Sequence, residues 1–481
     1  MTPDLHMKKL AWLLSLIVCF APVHAANARQ PKPNVIFILA DDLGYGDLGC
    51  YGQTKIRTPN IDRIAAEGLR FTQYYAGSSV CAPSRCTLLS GRHTGHAAVR
   101  DNLARGRGLE GQQPMPRDTV TLAQLLKKAG YRTGIIGKWG LGMPDQGSGP
   151  NDFGFDYSYG YLCQSQAHTY YPSHLWRNGA SEPLPGNPGI DGDFKGPIGG
   201  GKTYAHDLMT EDALRFVRES KDAPFFLYLA FTIPHLSLQV PDDSLAEYRG
   251  KWDEKPYEGR GHYAPHAEPR AAYAAMITRM DRDVGRLLAL LKELDLEQNT
   301  LVLFSSDNGA VFPLSGTDPG FFRSNGSLRG YKQDLYEGGI RVPLVARWPG
   351  RIKPGSLTEH VCAHWDLIPT LCELAGIESP KEIDGISYLP TLLDTPGQRK
   401  HESLYWEYHG QGGRIAVRMG DWKAVRYNVK KNADASVELY DLAHDHAEAR
   451  DLAAEHPELV SKAREIMSRE RTPSPVARWN F

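Results

Sequence analysis

The chain has 481 residues, 41% hydrophobic and 23% charged, which is the balance of a folded protein and excludes disordered and collagen-like classes. Its 55 Lys and Arg against 56 Asp and Glu leave a formal charge of −1, so no positive excess drives sequence-independent binding to nucleic acid. Any anionic partner must be met by a local cluster of cations.

The first predicted element is a targeting segment. Lys8 and Lys9 precede an apolar run from Leu10 to Phe20, and Val23-His24-Ala25 follows, the layout of a secretory signal cleaved after Ala25. Its loss removes Lys8, Lys9 and Asp4 and shifts the net charge from −1 to −2. Val18 is bulkier than the residue that lipoprotein processing at Cys19 would want. The apolar run is shorter than the roughly 20 residues a bilayer span needs, and no later run exceeds it. The expectation is an exported protein, periplasmic or secreted, with no integral membrane span. Cys50, Cys81, Cys86, Cys163, Cys362 and Cys372 remain, none in a Cys-x-x-Cys pair, so a thiolate zinc site or thioredoxin motif has no support.

From Pro33 to about Gly350, apolar strands alternate with amphipathic helices, which predicts an α/β fold: a large mixed, mostly parallel sheet with helices on both faces. Asn34 to Ala40 reads as a strand buried on both faces, because it is continuously apolar after its first residue. A helix with a Thr121/Gln124 capping box and a Gly130 stop leads into the strand Arg132 to Ile136. Ser181 to Lys202 is Gly- and Pro-rich and reads as a surface loop. Strands follow at Pro224 to Phe231 and Thr300 to Ser305. The helix before the second carries Met276, Met280, Val284, Leu287 and Leu291 on one stripe, a core face. After about Pro380 the rhythm changes to short strands at Ser403 to Tyr408, Arg414 to Met419, Trp422 to Tyr427 and Val437 to Tyr440. Gly420-Asp421 reads as a tight hairpin turn and Pro457 to Arg469 as a final helix. The expected layout is a signal at 1–25, a catalytic α/β domain at 26–380 and a small α+β subdomain with an antiparallel sheet at 381–481.

In a doubly wound sheet the carboxyl ends of the strands line the ligand crevice. Here those ends run into Asp41-Asp42, Gly137-Lys138, Pro234-His235 and Asp307-Asn308. Asp41, Asp42, Asp307 and Asn308 offer only oxygen donors, the ligand set of a hard divalent cation, and a flexible oxygen shell suits calcium better than magnesium. Taken alone, each pair is also what a helix N-cap or a loop would show.

Ser78 to Arg92 holds the sharpest local signal: Cys81, Pro83 and Arg85 in Cys-x-Pro-x-Arg register, followed by Ser90-Gly91. This resembles the formylglycine-dependent sulfatases. The resemblance runs in order from about Asn34 to Leu452, through Asn34 to Gly46, Gly130 to Trp139, Ser306 to Gly309, Leu328 to Lys332 with Tyr336 to Pro343, and Glu438 to Leu442. It implies the alkaline phosphatase superfamily fold. It also implies a formylglycine made from Cys81 by a formylglycine-generating or anaerobic sulfatase-maturating enzyme, and one calcium ion held by Asp41, Asp42, Asp307, Asn308 and residue 81. Sulfate-ester hydrolysis needs neutralised oxygens, an in-line nucleophile and a proton for the departing alkoxide. The resemblance assigns the first to the metal, Arg85, Lys138 and Lys332, the second to the hydrated aldehyde, and either the third or a further sulfate contact to His235. Attack at sulfur would leave a covalent sulfate on residue 81, which the remaining hydroxyl expels.

One departure stands out: many sulfatases have Gly-Lys-Trp-His where this chain has Gly137-Lys138-Trp139-Gly140. The missing histidine's work could pass to His168, with Gln164 or Gln166 as a sulfate contact, although an aromatic loop packed on the crevice would look the same. Trp176, Arg177, His93, His96, Arg100, Trp406 and His409 are candidate sugar-facing groups, since aromatic rings stack on pyranoses and His or Arg binds hydroxyls. The expected substrate is a sulfated glycan, with exo attack at a galactose-type sugar as one form of it and aryl sulfates as artificial substrates. The alternatives are a phosphonate monoester or phosphodiester hydrolase on the same scaffold and a catalytically impaired glycan-binding relative.

Overall fold

All seven residues of Asn34–Ala40 are buried, and the strand they form feeds two cores at once. Ile36, Ile38 and Ala40 enter one, Val35, Phe37 and Leu39 the other, because successive strand residues face opposite sides of a sheet. That is the physical content of a continuous apolar run. The strands at Phe225–Ala230 and Thr300–Ser306 divide in the same way.

The computed structural model describes residues 32–106, 109–187, 201–260, 263–313 and 316–481. The signal segment and residues 188–200 of the expected surface loop lie outside that set. An eleven-stranded sheet contains β1 (Asn34–Ala40), β2 (Leu69–Tyr75), β3 (Arg132–Lys138), β4 (Tyr157–Tyr161), β5 (His174–Arg177), β6 (Ala180–Pro183), β7 (Phe225–Ala230), β8 (Thr300–Ser306), β9 (Arg341–Arg347), β10 (Ser356–Thr358) and β11 (Cys362–Ala363). The order is β10-β2-β9-β8-β1-β7-β3-β4-β5-β6, with β11 beside β2. β1 pairs in parallel with β7 and β8, and β3 with β7 and β4. The registers Ala40↔Ser306, Leu39↔Ala230, Gly137↔Ala230 and Lys138↔Tyr161 align five carboxyl ends along one rim.

Local signals account for the supporting helices. Thr121 and Gln124 form the expected capping box of the Leu122–Lys128 helix, and Gly130 takes φ +87° just beyond it. The long Pro269–Glu293 helix lays its Met276, Met280, Val284, Leu287 and Leu291 stripe into the first core. β2, β4 to β6 and β9 exceed what the sequence pattern suggested. Several pair antiparallel at the flanks of the sheet, where polar residues interrupt the apolar run. Ser181 to Pro183, expected in a surface loop, instead lies in β6 as an edge partner of β5.

A second, four-stranded antiparallel sheet is formed by β12 (Leu404–Tyr408), β13 (Arg414–Met419), β14 (Trp422–Tyr427) and β15 (Glu438–Asp441), with Gly420-Asp421 as its two-residue turn. The Pro457–Arg469 helix covers one face, burying Ala463, Ile466 and Met467 against Ile415, Val417 and Leu439. On the other face Trp406, Ala416 and Val425 pack with Tyr75, Trp365 and Val80. Val80 directly precedes Cys81, so this sheet buttresses the segment that presents the cysteine. Both sheets lie in one compact unit, Lys32–Phe481. Among the described residues no helix is long and apolar enough to cross a membrane.

Candidate active site

The rim gathers charge that would be costly to bury singly. Asp41 and Asp42 follow β1, and Asp42 adopts φ +66°, a left-handed conformation that Asp tolerates better than most residues. Its N–H donates to Asp307 Oδ1 at 3.1 Å and its Oδ1 accepts from Asn308 Nδ2 at 2.7 Å, which locks the ends of β1 and β8 together. Cys81 begins the Cys81–Ser90 helix, and its Sγ lies 3.4 Å from Asp41 Oδ1 and 3.5 Å from Lys332 Nζ. Arg85, one turn on, donates Nε and Nη2 to Asp307 Oδ2 at 3.1 and 2.8 Å and Nη1 to the carbonyl of Lys138 at 2.9 Å. Lys138 Nζ reaches Asp41 Oδ2 at 2.6 Å, and Lys332 Nζ reaches Asp42 Oδ2 at 2.8 Å. His235 Nε2 is 3.1 Å from Lys332 Nζ, while its Nδ1 faces the Leu236 carbonyl at 2.5 Å. The Nδ1–H tautomer satisfies both contacts, with Nε2 accepting from the lysine.

These groups perturb one another. Burial opposes charge on Asp41, but Lys138, His235 and Arg85 outweigh it and hold the carboxyl well below its ordinary range. Burial, with Asp41 as the nearest like charge, pushes Asp307 up to about 7. Burial, then Lys332, pushes His235 down to about 4, and burial with Asp41 pushes the Cys81 thiol up. One ligand atom each from Asp41, Asp42, Cys81 and His235 lies within 4.8 Å of the others. Asn308 Oδ1 is buried with no hydrogen-bond partner. Three carboxylates and an orphaned amide oxygen converging in one place fit a hard divalent cation, which would supply the missing partner and relieve the carboxylate repulsion.

The remaining expected residues divide by environment. Gly140 has φ +71°, and a Cβ there would stand 2.2 Å from Nε2 of Gln164, so the amide of Gln164 fills the space a side chain at 140 would need. His168 stacks on His235 with centroids 4.7 Å apart and planes at 5°. Gln166 instead donates to His174, which with Trp176 contacts Glu110. Arg177 is engaged by Glu182 and Asp212 and lies over the Tyr159 ring.

Several proposed sugar contacts are committed to the protein. Trp406 is 0% exposed and donates to the Ala76 carbonyl. Arg100 is buried on Glu407 and the Thr472 carbonyl, and His409 pairs with the same Glu407 and stacks on Phe481. His93 and His96 stack together beside Asp384 and Glu470. The Gly95 N–H donates to His93 Nδ1, directing the Nε2–H of His93 toward those carboxylates. Trp406, Arg100, His93 and His409 are buried against the second sheet and the C-terminal segment, whereas His96 keeps a 24% exposed side chain on Asp384. Conversely, Tyr263 and Asn102 went unnoticed in the sequence. Tyr263 lies 5.1 Å from the His168 ring, and Asn102 Oδ1 accepts from the Ala82 N–H at the start of the cysteine helix. Neither sits in a motif or a periodic segment.

A family model described as Sulfatase matches residues 33–377, and one described as N-sulphoglucosamine sulphohydrolase, C-terminal, matches residues 330–471. The chain belongs to the sulfatase family, with the alkaline phosphatase-like fold. Human arylsulfatase A is 35% identical over 439 residues, covering 85% of this chain and 77% of that protein. An N-acetylgalactosamine-6-O-sulfatase of Bacteroides thetaiotaomicron is 29% identical over 541 residues, covering 97% and 100%. The crystal structure of Ps i-CgsB in complex with k-i-k-neocarrahexaose superposes with a TM-score of 0.76 at 30% identity, covering 91% of this chain and 93% of that one. The protein is a sulfuric ester hydrolase.

Proposed function

We propose that the protein hydrolyses sulfate monoesters carried on carbohydrate, using a formylglycine derived from Cys81 and one calcium ion held by Asp41, Asp42, Asp307 and Asn308. The observation that carries this reading is the contact of Cys81 with Asp41 and Lys332, members of one buried network in which Lys138 holds Asp41, Lys332 holds Asp42 and Arg85 holds Asp307. Its sugar preference is supported by the N-acetylgalactosamine-6-O-sulfatase likeness and by the k-i-k-neocarrahexaose bound to the structural relative. A galactose-type sugar attacked in exo fashion is the specific expectation. When present, calcium supplies charge neutralisation and a hydrated aldehyde at position 81 supplies the attacking oxygen.

The chain's own residues do the rest. Arg85 and Lys138 are fully buried, so their N–H donors are fixed before substrate arrives and stabilise charge as it develops on the sulfate oxygens. Lys332 and His235 share one N–H across 3.1 Å, a proton placed for the departing alkoxide. His168 holds the His235 ring by stacking, and Gln164 fills the space beside Gly140. Residues 26–380 carry the chemistry and 381–481 support it. Export to the periplasm or medium and maturation of Cys81 by a dedicated enzyme complete the proposal.

The test is mass analysis of the peptide containing residue 81, from a host able to mature it, together with turnover on a sulfated monosaccharide. An aldehyde or its hydrate is expected. Cys81→Ala should lower turnover on the order of 10⁴-fold or more while the fold is kept. An active Cys81→Ala enzyme, or an aryl phosphonate hydrolysed faster than any sulfate ester, overturns the reading.

A further inference from the structure

The charged centre is graded in depth. Arg85 and Lys138 are 0% exposed and Lys332 is 9% exposed, whereas His168 and Tyr263 are half-buried. An ester entering this cleft puts its anionic end against the buried cations and leaves its alcohol portion beside the half-buried rings. Tyr263 belongs to a short excursion that pairs as Tyr257↔His266 and Arg260↔Tyr263, placing it beside the tip. Its ring is 5.1 Å from His168 and 6.1 Å from His235, inclined to them at 53° and 58°. The excursion is tied down: the Ala264 N–H donates to Ser237 Oγ at 2.9 Å, and the Ser237 N–H donates to the His168 carbonyl at 3.0 Å. The tip, the His235 segment and the His168 loop are thus bound by consecutive hydrogen bonds.

We propose that Tyr263 is a specificity-determining residue whose ring, set at an angle to the His168 and His235 stack, forms the wall on which the sugar portion of the substrate rests. This rests on the function proposed above. Aromatic faces bind the C–H faces of pyranoses by dispersion and hydrophobic contact, and a ring already fixed by its neighbours loses little entropy in doing so. Its contribution falls on the alcohol side of the ester and leaves the sulfate contacts unchanged.

The experiment compares the matured enzyme with Tyr263→Ala and Tyr263→Leu on a sulfated galactose-type monosaccharide, and measures inhibition by inorganic sulfate in parallel. Both variants should raise KM for the sugar about tenfold with a smaller change in kcat, while the sulfate inhibition constant stays within twofold. Tyr263→Phe should retain most of the affinity. An unchanged KM overturns the proposal, and so does an equal loss of sulfate affinity, which would make Tyr263 a support for Lys332. Titration of the same sugar into Cys81→Ala, with and without Tyr263→Ala, reads binding without turnover. A wild-type enzyme inactive on sulfate esters would therefore undo the function while leaving the sugar wall separately testable.

Discussion

Two clusters of buried charge sit in this molecule, and they differ in what each leaves open. Between the sheets, Lys423 of β14 reaches Glu337 at 2.9 Å and Glu448 at 3.0 Å. Glu337 also accepts from the Tyr75 hydroxyl at 2.7 Å and pairs with Arg341 at 3.3 Å, and its own N–H donates to Glu448 at 2.6 Å. At the rim of the large sheet, Asp41, Asp42, Cys81 and His235 crowd together, with Asp307 tied to Arg85 and Asn308 Oδ1 left over. The first cluster balances itself and joins two parts of the fold. The second pairs each carboxylate with a cation, Asp41 with Lys138, Asp42 with Lys332 and Asp307 with Arg85, yet leaves one buried acceptor, Asn308 Oδ1, without a partner, a lack that an added cation would make good.

The contrast can be broken first at the joint. Lys423→Met strands two carboxyl groups in the interior and should cost about 3–5 kcal/mol in denaturant unfolding. The expected signature is lost stability with kcat of the folded fraction retained. A fall in kcat without loss of stability would mean the joint is not merely structural.

Calcium withdrawal sharpens the other half. If the rim is completed by the ion, a chelator should remove both turnover and stability, and calcium at a hundredfold excess over its Kd should restore about 3 kcal/mol. Differential scanning calorimetry with and without chelator measures this. No shift on calcium addition, with full activity, would contradict the assignment of the rim oxygens.

The smallest effect concerns pH. Burial opposes charge on Glu337, but Lys423, Arg341 and Arg418 outweigh it and hold it down to about 2. Its contribution is therefore present above the ordinary carboxylate range and lost as pH falls toward 2. Burial and the neighbouring Glu337 push Glu448 up to about 7 despite Lys423. Its native form holds a proton that the unfolded chain has released, so stability declines as pH rises from about 4.5 through about 7. Glu448→Gln should flatten that decline, by up to about 2 kcal/mol between pH 5 and pH 8. Identical slopes for both proteins in urea unfolding would remove the charge assignment of the joint.

Much of the architecture was legible because hydrophobicity reports burial. β1, β7 and β8 are apolar throughout since both faces are covered, and Met276 to Leu291 repeats at helical spacing since one face is. β2 was not, because Arg70, Thr72 and Gln73 interrupt it, and β9 was not, because Pro343 stands where a strand pattern discourages proline. For the rim, strand ends carrying Asp41-Asp42 and Asp307-Asn308 could be compared along the chain because parallel pairing puts such ends on one edge. Side-chain type said far less about exposure. Trp406 and Arg100 could have lined a sugar pocket by chemistry alone, yet both are buried. Tyr263 had no signal, since nothing in a loop rich in His, Gly and Pro says which turn will swing toward the centre.

By itself, then, the sequence determined the central strands with the helices around them, the chemical inventory of the rim and the family, since all three depend on residue type and near-neighbour spacing. The tertiary structure alone decided which polar and aromatic residues gather at the acidic rim and which hold the sheets together. That choice is made by docking between segments hundreds of residues apart, where a few ångströms of approach convert a surface side chain into a buried one.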